Sequence, residues 1–161
     1  LAPQFIESRL RFSPYIKDAW VVAGRGRTYA SAIIIINYNT VGRWAGQRRV
    51  GYSTFAELSQ KPEVYDLVKQ FIDTINSTLP FGSRVRKYVN LHKEFDPDEG
   101  ELTRTRKLRR AFLEERYREL IDAIYADKTE VPIEARVRYR DGRIGTTKTT
   151  LSIKSVEGAV L

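Results

Sequence analysis

The chain contains no cysteine and no methionine, and its only histidine is His92. The first absence removes disulfides, thiolate metal sites and cysteine nucleophiles. The scarcity of histidine removes most zinc sites and histidine-based triads. Long apolar runs are missing as well. The longest, AIIII at 32–36, is far too short to cross a bilayer, and no secretory signal opens the chain. A sequence that begins at Leu1 and lacks methionine throughout is expected to be a piece or a processed product of a longer chain. Acids are in deficit: 20 Asp and Glu stand against 28 Lys and Arg, a net charge of +8. That balance favours an anionic partner, whether nucleic acid, a membrane surface or a phosphate-bearing ligand.

What remains is globular. The 161 residues are 42% hydrophobic and 30% charged, enough for one compact domain, or a domain with an appendage, and wrong for a disordered chain. LAPQFIESRLRFSPYI reads as a short helix with Pro3 in its first turn, Phe5, Ile6 and Leu10 on one side, and Ser13-Pro14 as its stop. DAWVVAG reads as a strand, GRGR as a turn, and TYASAIIIINY as a β-branched central strand pairing antiparallel with it. A short helix is expected around residues 41–45, followed by a polar loop. The clearest helix spans about 61–79, with Val64, Leu67, Val68, Phe71, Ile72, Ile75 and Leu79 at three- and four-residue steps. RVRKYVNLHKEF alternates as a strand. A further helix is predicted from Leu108 to Ala126, with Leu108, Phe112, Tyr117, Leu120, Ile121 and Ile124 inward. The end of the chain reads as a long hairpin turning at Asp141-Gly142. Without a regular βαβ rhythm, the class is α+β: a small mixed or antiparallel sheet flanked by helices, with a C-terminal β-hairpin.

One stretch carries chemistry. Between 101 and 118, seven cations (positions 104, 106, 107, 109, 110, 116 and 118) face three glutamates (101, 114 and 115). A solvated basic face is the ordinary reading of such a run. Yet cations in the first turn of a helix oppose its dipole, which suggests an anion nearby. A basic module binding nucleic acid or an anionic membrane is one alternative. Nucleic-acid binding wants interleaved exposed aromatics or a recognition motif, and Phe112 and Tyr117 fall on the apolar face instead.

GELTRTRKLRR resembles the closing motif of AMP-forming long-chain fatty acid–CoA ligases, members of the adenylate-forming superfamily, where Gly-Glu-Leu-Thr-Pro-Thr-x-Lys-x-Lys-Arg is usual. Gly100, Glu101, Leu102, Thr103, Thr105, Lys107 and Arg110 match; Arg104 replaces a proline and Arg109 a lysine. The opening segment is similar to the family's Pro-x-x-Ile-Glu helix, which follows the hinge between its large and small domains. PEVYDLVKQFIDTINSTLPFGSRVRKYVNL, ERYRELIDAIYA and, more weakly, YRDGRIGTTKTTLSI extend the likeness over nearly the whole chain.

The resemblance implies a small C-terminal lid domain over residues 1–128, with a hairpin extension over 129–161 packed on it. The partner it implies is the large N-terminal domain of the same chain, so this piece is expected to be inactive alone. ATP with Mg2+, a fatty acid and coenzyme A are the implied substrates and cosubstrates. Lys107 takes the place of the catalytic lysine. Thr103 and Thr105 would shape the loop, Arg110 would anchor it or contact phosphate, and Arg104, Arg106 and Arg109 would add to the field. The domain would rotate between adenylation and thioester formation. The implied location is cytoplasmic, with loose peripheral membrane contact.

Other residues read more plainly. His92 is a strand-surface or core-edge histidine rather than a base, and GRGR lacks the Gly-Lys-Ser/Thr ending of a phosphate loop. Trp20 and Trp44 are packing residues. Asp96, Asp98 and Glu99 are turn chemistry that could pair with arginines; three acids without further ligands do not make a metal site.

Overall fold

The computed structural model describes residues 2–24, 26–138 and 141–156, the side chains of 136–138 excepted. The chain enters through α1 (Pro3–Leu10), then β1 (Ile16–Val22) and β2 (Ala30–Ile36). After α2 (Tyr38–Gln47), α3 (Phe55–Ser59) and α4 (Pro62–Asn76) it returns through β3 (Val85–Asn90). Two short helices, α5 (Arg110–Arg116) and α6 (Arg118–Tyr125), precede a hairpin of β4 (Glu130–Arg138) and β5 (Ile144–Ser152); β6 (Lys154–Ser155) follows.

β-branched residues favour a pleated, fully buried strand, and every residue of β2 is buried. The four-stranded sheet has the order β1-β2-β3-β6; β1–β2 and β3–β6 are antiparallel and β2–β3 parallel, so α2, α3 and α4 form the crossover. Because side chains alternate across a strand, β2 serves two cores. Ala30, Ala32, Ile34 and Ile36 pack with Ile6, Leu10, Val41, Val64, Val68 and Ile72 from α1, α2 and α4. Ile33 and Ile35 pack with Leu113, Tyr117, Leu120, Ile121 and Ile124 from α5 and α6, and with Val131, Leu151 and Ile153 from the hairpin. The class is α+β, as the sequence predicts.

Three expectations need correction. Phe5 points outward, 42% exposed, and Glu7 takes its place on the inner face of α1. The helix predicted over 108–126 starts only at Arg110 and breaks at Tyr117, whose ψ is 26°. Its inward stripe is Leu113, Tyr117, Leu120, Ile121 and Ile124. Phe112, one position off that stripe, is half-exposed, with the Arg109 guanidinium 5.2 Å from its ring centre. The polar loop expected after the short helix at 41–45 runs into α3 at Phe55. Thr54 caps that helix by accepting from the Glu57 N–H at 3.0 Å, while the Glu57 carboxylate accepts from Ser53 N. Of the long hairpin, residues 139–140 and 157–161 lie outside the described residues, as does Arg25 of the GRGR turn.

Candidate functional site

The basic stretch forms a small looped hairpin between β3 and α5. Leu102 and Leu108 form an antiparallel bridge, and the Arg109 N–H donates to Glu101 O at 3.1 Å. Within that stem, Arg106 N donates to Thr103 O (2.9 Å), Thr103 N donates to Lys107 O (2.8 Å), and Lys107 N donates to the Thr103 hydroxyl (3.0 Å). The Thr103 and Thr105 hydroxyls lie 3.1 Å apart. Arg106 closes the turn with φ +64°, a conformation that ordinarily goes to glycine. Lys107 is exposed and makes no ion pair among the described residues.

Two buried carboxylates hold the loop's ends. Glu101, 0% exposed, is the hub at the N-terminal stem. Its carboxylate accepts from Lys93 Nζ, the Tyr117 hydroxyl and Asp96 N (2.9 Å), and forms an ion pair with Arg116, whose Nε lies 3.1 Å away. Glu99 bridges the same two cations, at 2.9 Å from Lys93 and 3.3 Å from Arg116. Asp96 accepts from Asp98 N, and Gly100 leaves the acidic turn at φ +82°. A Cβ on Gly100 would meet Arg109 Nη1 at 3.0 Å, and that nitrogen already donates to Gly100 O. Burial first, then the Glu101 charge, raises the Tyr117 phenol above its ordinary pKa, so it stays a donor.

The C-terminal stem is held from α1. Arg110 makes a two-pronged pair with Glu7, Nη1 to Oε2 at 2.8 Å and Nη2 to Oε1 at 2.6 Å. Glu7, 1% exposed, also accepts from Val21 N at 2.7 Å. The hydrogen bond to Glu7 raises the Arg110 pKa further.

The loop walls a cleft of about 560 Å³ opposite α1 and the start of β1. Ile35, Phe95, Leu102 and Leu108 line it beside Arg106 and Lys107. Its acids are matched: Glu7 with Arg110, Asp18 with Arg11 at 3.4 Å, and Glu94 with Lys17 at 2.6 Å. Burial raises the Asp18 pKa, partly offset by hydrogen bonds from Ala19 N and Arg11. Lys107 and Arg106 are therefore cations on the rim without a local counter-charge among the described residues.

The structure thus gathers Thr103, Thr105 and Lys107 on one loop and places Arg110 at its root. Two carboxylates central to this geometry were not singled out by sequence reading. Glu7 belongs to the Pro-x-x-Ile-Glu pattern, and the signal available was its position beside Ile6 on an apolar helix face. Glu101 stands inside the quoted motif but reads there only as one acid among cations. His92 is buried, with Nδ1 lacking a hydrogen-bond partner among the described residues; Trp20 is core, and Trp44 is half-buried beneath Arg48.

The described residues thus form a mixed sheet between two helical layers, with Lys107 exposed on a braced loop. The family model of the AMP-binding enzyme C-terminal domain matches residues 1–129, and the chain belongs to that family. It is 28% identical over 126 residues to long-chain-fatty-acid–CoA ligase FadD15 of Mycobacterium tuberculosis, covering 78% of this chain and 21% of the relative. It is 26% identical over 128 residues to the putative fatty-acid–CoA ligase fadD11 of the same organism, covering 80% and 22%. The chain therefore spans about a fifth of the length of these relatives. In fold it matches the adenylation domain of a carboxylate reductase from Mycobacterium chelonae, with TM-score 0.61, 22% identity, and coverage of 79% of this chain and 18% of that one.

Proposed function

We propose that the chain is the C-terminal lid of an AMP-forming ligase that activates a long-chain fatty acid with ATP and passes it to coenzyme A. The lid unit is residues 1–128, and 129–161 is a hairpin extension packed on it. In the first half-reaction a carboxylate oxygen attacks the α-phosphorus of ATP; the new P–O bond gives an acyl-adenylate and pyrophosphate leaves. In the second, the thiol sulfur of coenzyme A attacks the acyl carbon, and AMP leaves as the thioester forms.

The first step forces two anions together. An ammonium brought to their meeting point offsets the repulsion and stabilises the charge that develops on the phosphate, worth several kcal/mol in a closed site. Lysine suits the task because its charge is compact and carried on a long stem that reaches into a neighbouring domain. The observation that carries the assignment is the contrast at the loop: Lys107 is exposed and unpaired among the described residues, while both ends of the loop are pinned by buried carboxylates. Thr103 and Thr105 shape the turn, Arg110 braces its root, and Arg104, Arg106 and Arg109 raise the local positive potential. The domain rotates between half-reactions, and the enzyme works in the cytoplasm with loose membrane contact. Among the described residues no group of three His, Asp or Glu side chains could hold a metal ion. Magnesium in this reading would arrive with ATP, held by the nucleotide's phosphate oxygens.

In the full-length ligase, Lys107→Ala should cut acyl-adenylate formation, read as pyrophosphate release, by roughly a hundred- to a thousandfold and leave a measurable residual rate, while thioester formation from supplied acyl-adenylate largely survives. Unchanged adenylation would remove the assignment.

A further inference from the structure

We infer that Glu7 is a positioning residue for Lys107, acting through Arg110. The inference rests on the reading of Lys107 just given. A carboxylate buried on the apolar face of a helix costs several kcal/mol unless it is paired and hydrogen-bonded. Glu7 meets that condition with three donors from two other elements. One is Val21 N, on the open side of β1, which is the edge strand of the sheet. The other two are the parallel N–H groups of Arg110. One side chain therefore ties α1, the sheet edge and the root of the lysine loop together. The chain reaches it from Lys107 in three residues.

The two anchors of the loop are separate. The Glu101 hub fixes the N-terminal stem through Lys93, Arg116 and Tyr117, none of which touches Glu7 among the described residues. The stem bridge and the Arg109 N–H to Glu101 O bond involve neither Glu7 nor Arg110. What that loss frees is the direction in which the C-terminal stem leaves α5, on the side of the cleft that Lys107 lines. A guanidinium held by two parallel hydrogen bonds fixes orientation as well as distance, which a lysine cannot reproduce. Misplacing a reacting group by about 1 Å costs on the order of a hundredfold in rate.

The test uses the full-length ligase and measures the half-reactions separately. Glu7→Gln keeps the shape and removes the charge; Arg110→Lys keeps the charge and removes the fork. Each should lower the kcat for pyrophosphate release about tenfold or more, with KM for ATP and fatty acid within about twofold. Thioester formation from supplied acyl-adenylate should change less than about twofold. Added to Lys107→Ala, Glu7→Gln should cost adenylation nothing further, because its effect passes through the lysine. Parallel loss in both half-reactions, no loss in either variant, or a further loss in the Lys107→Ala background would overturn the proposal. If Glu7→Gln fails to fold, the Arg110→Lys pattern decides alone. Full activity of Lys107→Ala by itself would overturn the lysine assignment, and this inference with it, and so identifies which of the two has failed.

Discussion

His92 is 6% exposed beside Lys93, and burial first, then the lysine's charge, push its pKa down to about 4. The unfolded chain, with an ordinary imidazole near 6.5, therefore binds a proton that the folded chain refuses between those values. The stability contributed by the neutral ring is full above pH 6.5 and drains away as pH falls toward 4. Between pH 7.5 and 5.5 this amounts to about 1 kcal/mol. Urea unfolding at the two pH values should show that difference, and His92→Leu should remove it; an unchanged slope in the variant would assign the acid sensitivity elsewhere. At this scale legibility is uneven. The exposed motif residues were readable because a motif is local. The inward turn of Glu7 was not, since the arginine that makes its burial tolerable lies 103 positions away.

At the scale of the element, the lysine loop is a tight turn whose last corner, Arg106, adopts a left-handed backbone. For a residue with a side chain that conformation costs roughly 1–2 kcal/mol, and a β-branched residue bears it worst. Arg106→Gly should therefore unfold within about 1 kcal/mol of the parent, its relief of strain offset by glycine's extra unfolded entropy. Arg106→Val adds a β-branch to strain the arginine already bears, and should be less stable than both the parent and Arg106→Gly. Urea midpoints that rank the two the other way would contradict the turn geometry. Helices were legible where their stripe was long, as in α4, which the spacing of Val64, Leu67, Val68 and Ile72 reveals. Local spacing is ambiguous where one residue's phase decides: Phe112 and Leu113 both fit an apolar spacing, and only Leu113 joins Tyr117, Leu120, Ile121 and Ile124 in the core. The capping pair Thr54 and Glu57 signals the start of α3, but the five residues that follow are too few to show a helical period.

Over the whole molecule, the two cores meet through β2, and the C-terminal hairpin contributes to both. Val131, Leu151 and Ile153 enter one core and Val156 the other, while β6 pairs with β3. Tyr65 fastens the same segment, its hydroxyl donating to Ser152 O at 2.7 Å. Each buried aliphatic side chain is worth roughly 1.5–3 kcal/mol. Four of them rival the entire net stability of an ordinary domain, roughly 5–15 kcal/mol. A chain ending at Lys128 should accordingly lose its cooperative thermal transition or show it sharply lowered; a transition within a few degrees of the parent would show the hairpin root to be dispensable. The family match stops at residue 129, so these contacts belong to the part of the chain beyond it. The class of fold was legible from the β-branched run and the scattered helices. The parallel pairing of β2 with β3 was not, because register between strands 55 residues apart leaves no trace in local spacing.

The pairing of Glu7 with Arg110 joins the opening helix to the first residue of α5. Two parallel charged hydrogen bonds resist sliding as well as separation. A displacement of α1 is therefore handed on to the foot of the loop that bears Lys107, so the two travel as one piece.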